Sequence, residues 1–187
     1  MKKTWGKCVF VGVSILVVWA MFLALQPAPT KIRVGTYDSR IVALAYHRSA
    51  LVAPSRQSLM DKMEKAKAEK NEKLMQELEA EVVTDHYYDM LQVFCQLPIG
   101  DILEKVKDKL PQVAQEAGVD MIVSQWEVMH KTPSVEIVDI TSSLAKLFNP
   151  DEQTLKFIEG TKQQPPIPLL ELLKKAVKEW RKEDEIE

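Results

Sequence analysis

Three histidines and two cysteines are the side chains whose chemistry needs testing first. His47, His86 and His130 fall in separate segments. The stretch "TDHYYD", Thr84 to Asp89, gathers Asp85, His86 and Asp89. On a helix Asp85 and Asp89 share a face and His86 is one residue off it. A helical metal site needs its ligands on one face, so solvated polar groups beside core tyrosines are the favoured reading. Cys8 and Cys95 lie far apart, Cys8 inside an apolar block, which argues against an intrachain disulfide and leaves no metal-ligand spacing. Cys95 sits in an apolar helical pattern and reads as a buried small hydrophobe. There is no glycine-rich phosphate loop, no GxSxG and no HExxH. The expectation is a protein that is not an enzyme, with no metal and no cofactor.

A second kind of chemistry is non-directional. Residues 55–96 have a helical pattern in which Met60 and Met63 begin an apolar stripe. Leu74, Leu78 and Val82 resume it after the charged run "EKAKAEKNEK", Glu64 to Lys73. Methionine is unbranched and adaptable, so it suits a promiscuous surface as well as a core. Met60, Met63, Leu74, Met75 and Leu78 are therefore the candidate contacts for an apolar client, with Met90 further along the same pattern. Two readings of the segment stay open. It is one long helix with a solvated middle, or it is a helical hairpin that turns near Asn71. Glu–Lys pairs at spacings of three and four support helix in either case.

The rest of the chain must position that segment. Hydrophobic residues make up 46%, charged residues 28% and aromatics 7%, with only 6 glycines, a composition that favours helix over an all-β sandwich. The clearest block is N-terminal. Lys2, Lys3 and Lys7 precede "CVFVGVSILVVWAMFLAL", Cys8 to Leu25, which is uncharged for 18 residues. A spanning helix needs about 20. A cut after Ala28 would put Pro29 next, and one after Gln26 would leave a large polar residue at the cut, so an uncleaved signal anchor (Val9, Val18 and Leu25 within it) is favoured over a cleaved peptide. The lysines place residues 1–7 in the cytoplasm. Residues 26–30 are a linker, and the remainder is expected outside the cytoplasm, beyond a membrane the chain crosses once. Without the three N-terminal lysines, 22 basic residues face 27 acidic ones, a net −5 that disfavours nucleic acid as a partner.

Outward from there, "KIRVGTYD" reads as a strand, and "SRIVALAYHRSALVA" extends it or forms a short helix capped by Ser39. Asp101 to Ala117 is helical, with Pro111 predicting a kink or a break into two and Gly118 a C-terminal stop. "VDMIVSQ" and "SVEIVDI" are strands, the second leading into a short helix capped by Asp139 or Thr141. Asn149, Pro150, Glu152 and Gly160 predict one more capped helix. Leu169, Leu173, Ala176 and Trp180 mark a terminal amphipathic helix with an acidic tail, best suited to packing or self-association.

"AQEAGVDMIVSQWEVMHKTPSVEIVDITSSLAKLF", Ala114 to Phe148, resembles the C-terminal part of the Skp/OmpH periplasmic chaperones. Gly118, Asp120, Ile122, Val123, Pro133, Val135, Asp139, Ile140, Thr141 and Leu144 carry the likeness, and "IRVGTYDSRIV" is similar to the family's opening strand. The chain departs from the pattern in its shorter arm, its acidic body, its retained leader and the 39 residues after Phe148. The residue pattern and the resemblance together give an expected α+β fold: an N-terminal transmembrane helix and a C-terminal helical extension at 149–187 from the pattern, and from the resemblance a small antiparallel or mixed β-body over 31–148 with a helical insert at 55–117. The resemblance implies a homotrimer with Ile32, Val34, Val123, Val135, Ile137 and Ile140 in the body's seam. It implies an ATP-independent chaperone that binds unfolded outer-membrane or other envelope proteins. The alternative is a structural or scaffolding protein with one constant partner.

Overall fold

A computed structural model of the chain describes residues 31–183. The expected membrane anchor at 8–25 lies outside the described residues, and among those described no helix is long and apolar enough to cross a membrane. The α+β expectation holds, but the sheet is neither antiparallel nor mixed. Strand β1 (Ile32–Tyr37) is central, with β2 (Met121–Ser124) and β3 (Val135–Asp139) on either side, and both pairs are parallel. Alternating side chains announce a strand but not its direction. The direction follows from the connections. The long helical excursion between β1 and β2 returns the chain to the same end of the sheet, as parallel pairing requires. The ten residues 125–134 then carry it past β1 to β3.

Helix α1 (Ser39–His47) follows β1 directly. Its cap is Asp38 rather than Ser39: the carboxylate accepts from the Arg40 amide at 3.0 Å. The insert is a hairpin. Helix α2 (Ala53–Ala68) and helix α3 (Glu72–Phe94) meet at a turn in which Lys70 takes φ +52°. Asn71 caps α3 by accepting from the Leu74 amide at 3.1 Å. The break expected from Pro111 occurs just before it: α4 (Gly100–Glu104), a 3-10 turn at Lys107–Lys109, then α5 (Leu110–Ala117), with the proline in the first turn where its missing N–H is harmless. Gly118 ends α5 at φ +62°, a left-handed cap.

Helix α6 (Thr141–Lys146) leaves β3 with Asp139 accepting from the Thr141 amide at 2.8 Å. Asn149 is not the cap of the next helix: with φ +49° it closes the preceding turn, and Asp151 caps α7 (Glu152–Lys162) through the Thr154 amide at 2.7 Å. Hydrogen bonding to the Thr154 side chain, and then to its amide, holds the Asp151 carboxyl below the usual carboxylate range. Gly160 lies inside α7 rather than ending it. Helix α8 (Leu169–Glu183) completes the described chain.

The helices cover one face of the sheet. Ile41, Val42, Val93, Ile102, Val113, Leu144, Phe148 and Ile158 are buried there, joined by Ile122 and Val138 from the outer strands. The register fixes what lies on the other face. Ile32 pairs with Val135, Val34 with both Met121 and Ile137, and Thr36 with Val123. These residues share a parity and so share a face, on which Ile32 and Met121 stay about half exposed.

Candidate functional site

The arm α2–α3 carries the residues expected to meet a client, and its own packing engages most of them. Ala66 is fully buried and Leu78 is 5% exposed, while Met63, Leu74 and Met75 are half-buried along the seam between the two helices. Of the five, only Met60 is exposed, at 58%. The structure exposes a different set on α3: Val82, Val83, Tyr88 and Phe94. Periodicity had Val82 in its apolar stripe but missed Val83 and Tyr88, which sit near Glu81, Asp85 and His86 and resemble an ordinary solvated face, and it missed Phe94. Their signal was density: "VVTDHYY" is apolar beyond what one buried stripe needs.

The root of the arm is a polar junction. Gln92 of α3 is fully buried and donates to both Asp101 carboxylate oxygens, at 3.1 and 3.3 Å. Its Oε1 lies 2.8 Å from His47 Nε2, and His47 Nδ1 lies 3.3 Å from Asp89 Oδ1. Arg56 of α2 donates to the His47 carbonyl at 3.2 Å and sits 3.7 Å from Asp89. Burial, reinforced by Asp101 and Asp89, pushes the neighbouring Tyr46 hydroxyl up from its ordinary value. The helical trio Asp85, His86 and Asp89 is thereby split: Asp89 turns to His47, and His86 stays exposed. His130 is exposed in the β2–β3 link. Among the described residues no three metal-ligating side chains converge.

At the carboxyl ends of all three strands lies a crevice of about 390 Å³, bordered by Asp38, Trp126, Asp139, Thr141 and residues 162–166. Open parallel sheets place ligands at this end, yet the ionic groups here serve each other. Arg40 Nε and Nη2 donate to Asp38 at 3.1 and 2.8 Å, and Nη1 donates to the Gln164 carbonyl at 2.9 Å. The guanidinium lies over the Trp126 ring, 5.3 Å from its centroid. The Thr141 hydroxyl accepts from the Asp38 amide at 3.0 Å. This pins the 163–168 linker to the sheet, and the Ile167 amide donates to the Phe94 carbonyl to hold its other end. The crevice contains no pairing of nucleophile and base. Cys95 lies at the far end of that linker, 1% exposed, its thiol pushed up by burial and so kept protonated.

Two further surfaces are apolar. Five of the six expected seam residues, Ile32, Val34, Val123, Val135 and Ile137, do share the outer sheet face. Ile140 does not. It is 2% exposed in the protomer's own core, and a Cβ added at Gly35 would meet its Cδ1 at 2.9 Å. The second surface is α8, where Leu169, Leu170, Leu173 and Val177 are exposed between Lys174 and Lys178. The side chains of Ala176 and Trp180, expected on that face, lie outside the described residues. No family model matches the chain, and neither the curated proteins nor the solved structures yield a match.

Proposed function

We propose that the chain is an ATP-independent holdase or assembly factor of the bacterial cell envelope, which engages unfolded envelope proteins through its α2–α3 arm. One observation carries this reading: the arm presents Met60, Val82, Val83 and Tyr88 as separate exposed apolar groups along a charged helical hairpin. Scattered contacts of that kind hold an unfolded chain weakly at many points, and multivalency rather than one deep pocket supplies the affinity. The contact set is moved from the inter-helix seam to the outer side of α3. The periplasmic address, on the outer side of the inner membrane, rests on the sequence of residues 1–25 alone. The homotrimer is part of the same proposal, with the apolar outer face of the sheet as its shared surface.

The test is suppression of aggregation of an unfolded outer-membrane protein by the full chain in lipid nanodiscs. Wild type delays aggregation at stoichiometric amounts, and Val82→Ser/Val83→Ser/Tyr88→Ser loses most of that effect while keeping its helix content. Equal suppression by the two proteins removes the arm from the mechanism, and no suppression by either removes the holdase. The exposed stripe Leu170, Leu173 and Val177 favours a second reading, a scaffold whose α8 docks on one constant partner. Affinity capture separates the readings: one protein in constant ratio supports the scaffold, and many unfolded envelope proteins support the holdase.

A further inference from the structure

The hydrogen-bond pattern at the arm's root fixes more than position. Asp101 can only accept from Gln92, because an ionised carboxylate has no proton to donate. Its two contacts therefore orient the Gln92 amide with Nε2 toward Asp101 and Oε1 toward His47. The Gln92 oxygen accepts, so His47 Nε2 must carry a proton. A neutral imidazole has only one N–H. In that form the bare Nδ1 lone pair would face the Asp89 carboxylate 3.3 Å away, acceptor against acceptor, with the ring side chain only 11% exposed. The contact becomes attractive only when Nδ1 is protonated too.

We infer that His47 is a proton-operated clasp at the base of the arm: as imidazolium it ties α1 to α3 through both ring nitrogens, and on losing the Nδ1 proton it releases Asp89. Every element packed around the ring contributes to the balance. Asp89 and Gln92 come from α3, Asp101 from the start of α4, and Arg56 from α2, where it shares Asp89 with the histidine. Tyr46 stacks edge-on to the ring at 5.1 Å, and Arg48, the next residue, turns away to the Thr154 hydroxyl on α7. Around the imidazole there are thus two carboxylates and one nearby guanidinium.

The consequence is mechanical. Both arm helices reach the body at this point, α2 through Arg56 on the His47 carbonyl and α3 through Asp89 and Gln92 on the ring. Releasing Asp89 frees one ring contact of α3 and hands the carboxylate to Arg56 alone. The arm then keeps its own seam but loses part of what fixes its attitude. Histidine is the side chain whose ordinary range of titration falls between pH 5 and 8. The clasp therefore closes on acidification and opens toward mildly alkaline pH. The inference concerns how the arm is held and stands apart from whether the arm holds clients.

Hydrogen–deuterium exchange on the full chain reads it directly, with rates divided by the intrinsic exchange rate at each pH. Peptides covering 44–50 and 86–94 are expected to be roughly two- to fivefold more protected at pH 6 than at pH 8, the scale of one partly exposed ion pair, while peptides of β1 do not change. In Asp89→Asn, a substitution at a partly exposed side chain that leaves the core intact, the difference collapses. His47→Gln, which keeps a donor toward Gln92 without a titrating group, is expected to be pH-independent. Equal protection at the two pH values in the wild type overturns the clasp. So does a pH difference that survives in Asp89→Asn, a readout that does not depend on whether His47→Gln folds.

Discussion

Gly35 is set by what lies above it. A methyl group there would stand 2.9 Å from Ile140 Cδ1 and 3.0 Å from Val119 Cγ2, both inside the packed core. Gly35→Ala is expected to cost about 1–3 kcal/mol by overpacking, measurable by urea unfolding. Ile140, a seam residue in the trimer that the resemblance implies, lies instead in the protomer's own core. Parity explains the difference. Ile140 falls two residues after Val138, on the helix side, and the chain has left the strand at φ −111°, ψ 12°. Ile140→Asp therefore buries a lone carboxylate inside one protomer and is expected to unfold it, at roughly 3–5 kcal/mol, as seen in circular dichroism. Two tyrosines supply a pH limit at the same scale. Burial raises the hydroxyls of Tyr37 and Tyr46 above their ordinary 10.0. A raised folded value means that the stabilisation is intact below the unfolded value and is lost as pH climbs through the folded one. The fold is thus expected to weaken as pH rises above about 10, and Tyr37→Phe should move that limb upward in a circular-dichroism titration.

Among the elements, the hairpin was half legible. The sequence offered a turn near Asn71 or an unbroken helix, since "EKAKAEKNEK" contains neither glycine nor proline. The turn is made by Lys70 in a left-handed conformation, a role lysine does not advertise. Lys70→Gly is expected to stabilise the arm by about 1 kcal/mol, removing the Cβ clash of that backbone region. Leu78→Ala empties the buried seam opposite α2 and should cost about 2–5 kcal/mol, seen as early exchange confined to 57–86. Asn149 shows the same ambiguity, because asparagine suits both a helix cap and a left-handed stop; only packing selected the second. The strands were legible from alternation, and β1, Ile32–Tyr37, falls within the expected "KIRVGTYD". Strand direction was not. A ten-residue link such as 125–134 commonly joins antiparallel neighbours, whereas here it joins two strands that flank a third.

For the molecule as a whole, the outer sheet face, half exposed at Ile32 and Met121, is the feature with the widest consequence for assembly. Ile32, Met121, Val123, Val135 and Ile137 form an apolar surface on a sheet of only three short strands, which is marginal by itself. Ile137→Asp is expected to reduce the proposed trimer to folded monomers in light scattering, in contrast to Ile140→Asp, which loses the fold. A wild-type monomer would leave that face without its proposed partner. The apolar anatomy of this surface was legible from the strands, but its limits were not, because they depend on which face the helices cover.

Because β1 is central, its position in the chain also governs how the molecule is made. Arg33 bonds to Asp120 across 87 residues, and Asp38 to Thr141 across 103. The strand that both neighbours require is the first of the three to leave the ribosome and the last to find its partners. Meanwhile the seam between α2 and α3 needs only local contacts and can close at once. During synthesis β1 is an unpaired apolar ribbon attached to a finished arm, waiting for the rest of its sheet. Long-range pairing of this kind slows folding. Refolding should therefore show arm helix within the dead time of a stopped-flow instrument and sheet protection only later. The newborn chain passes through the same exposed condition that the finished one is proposed to guard in others.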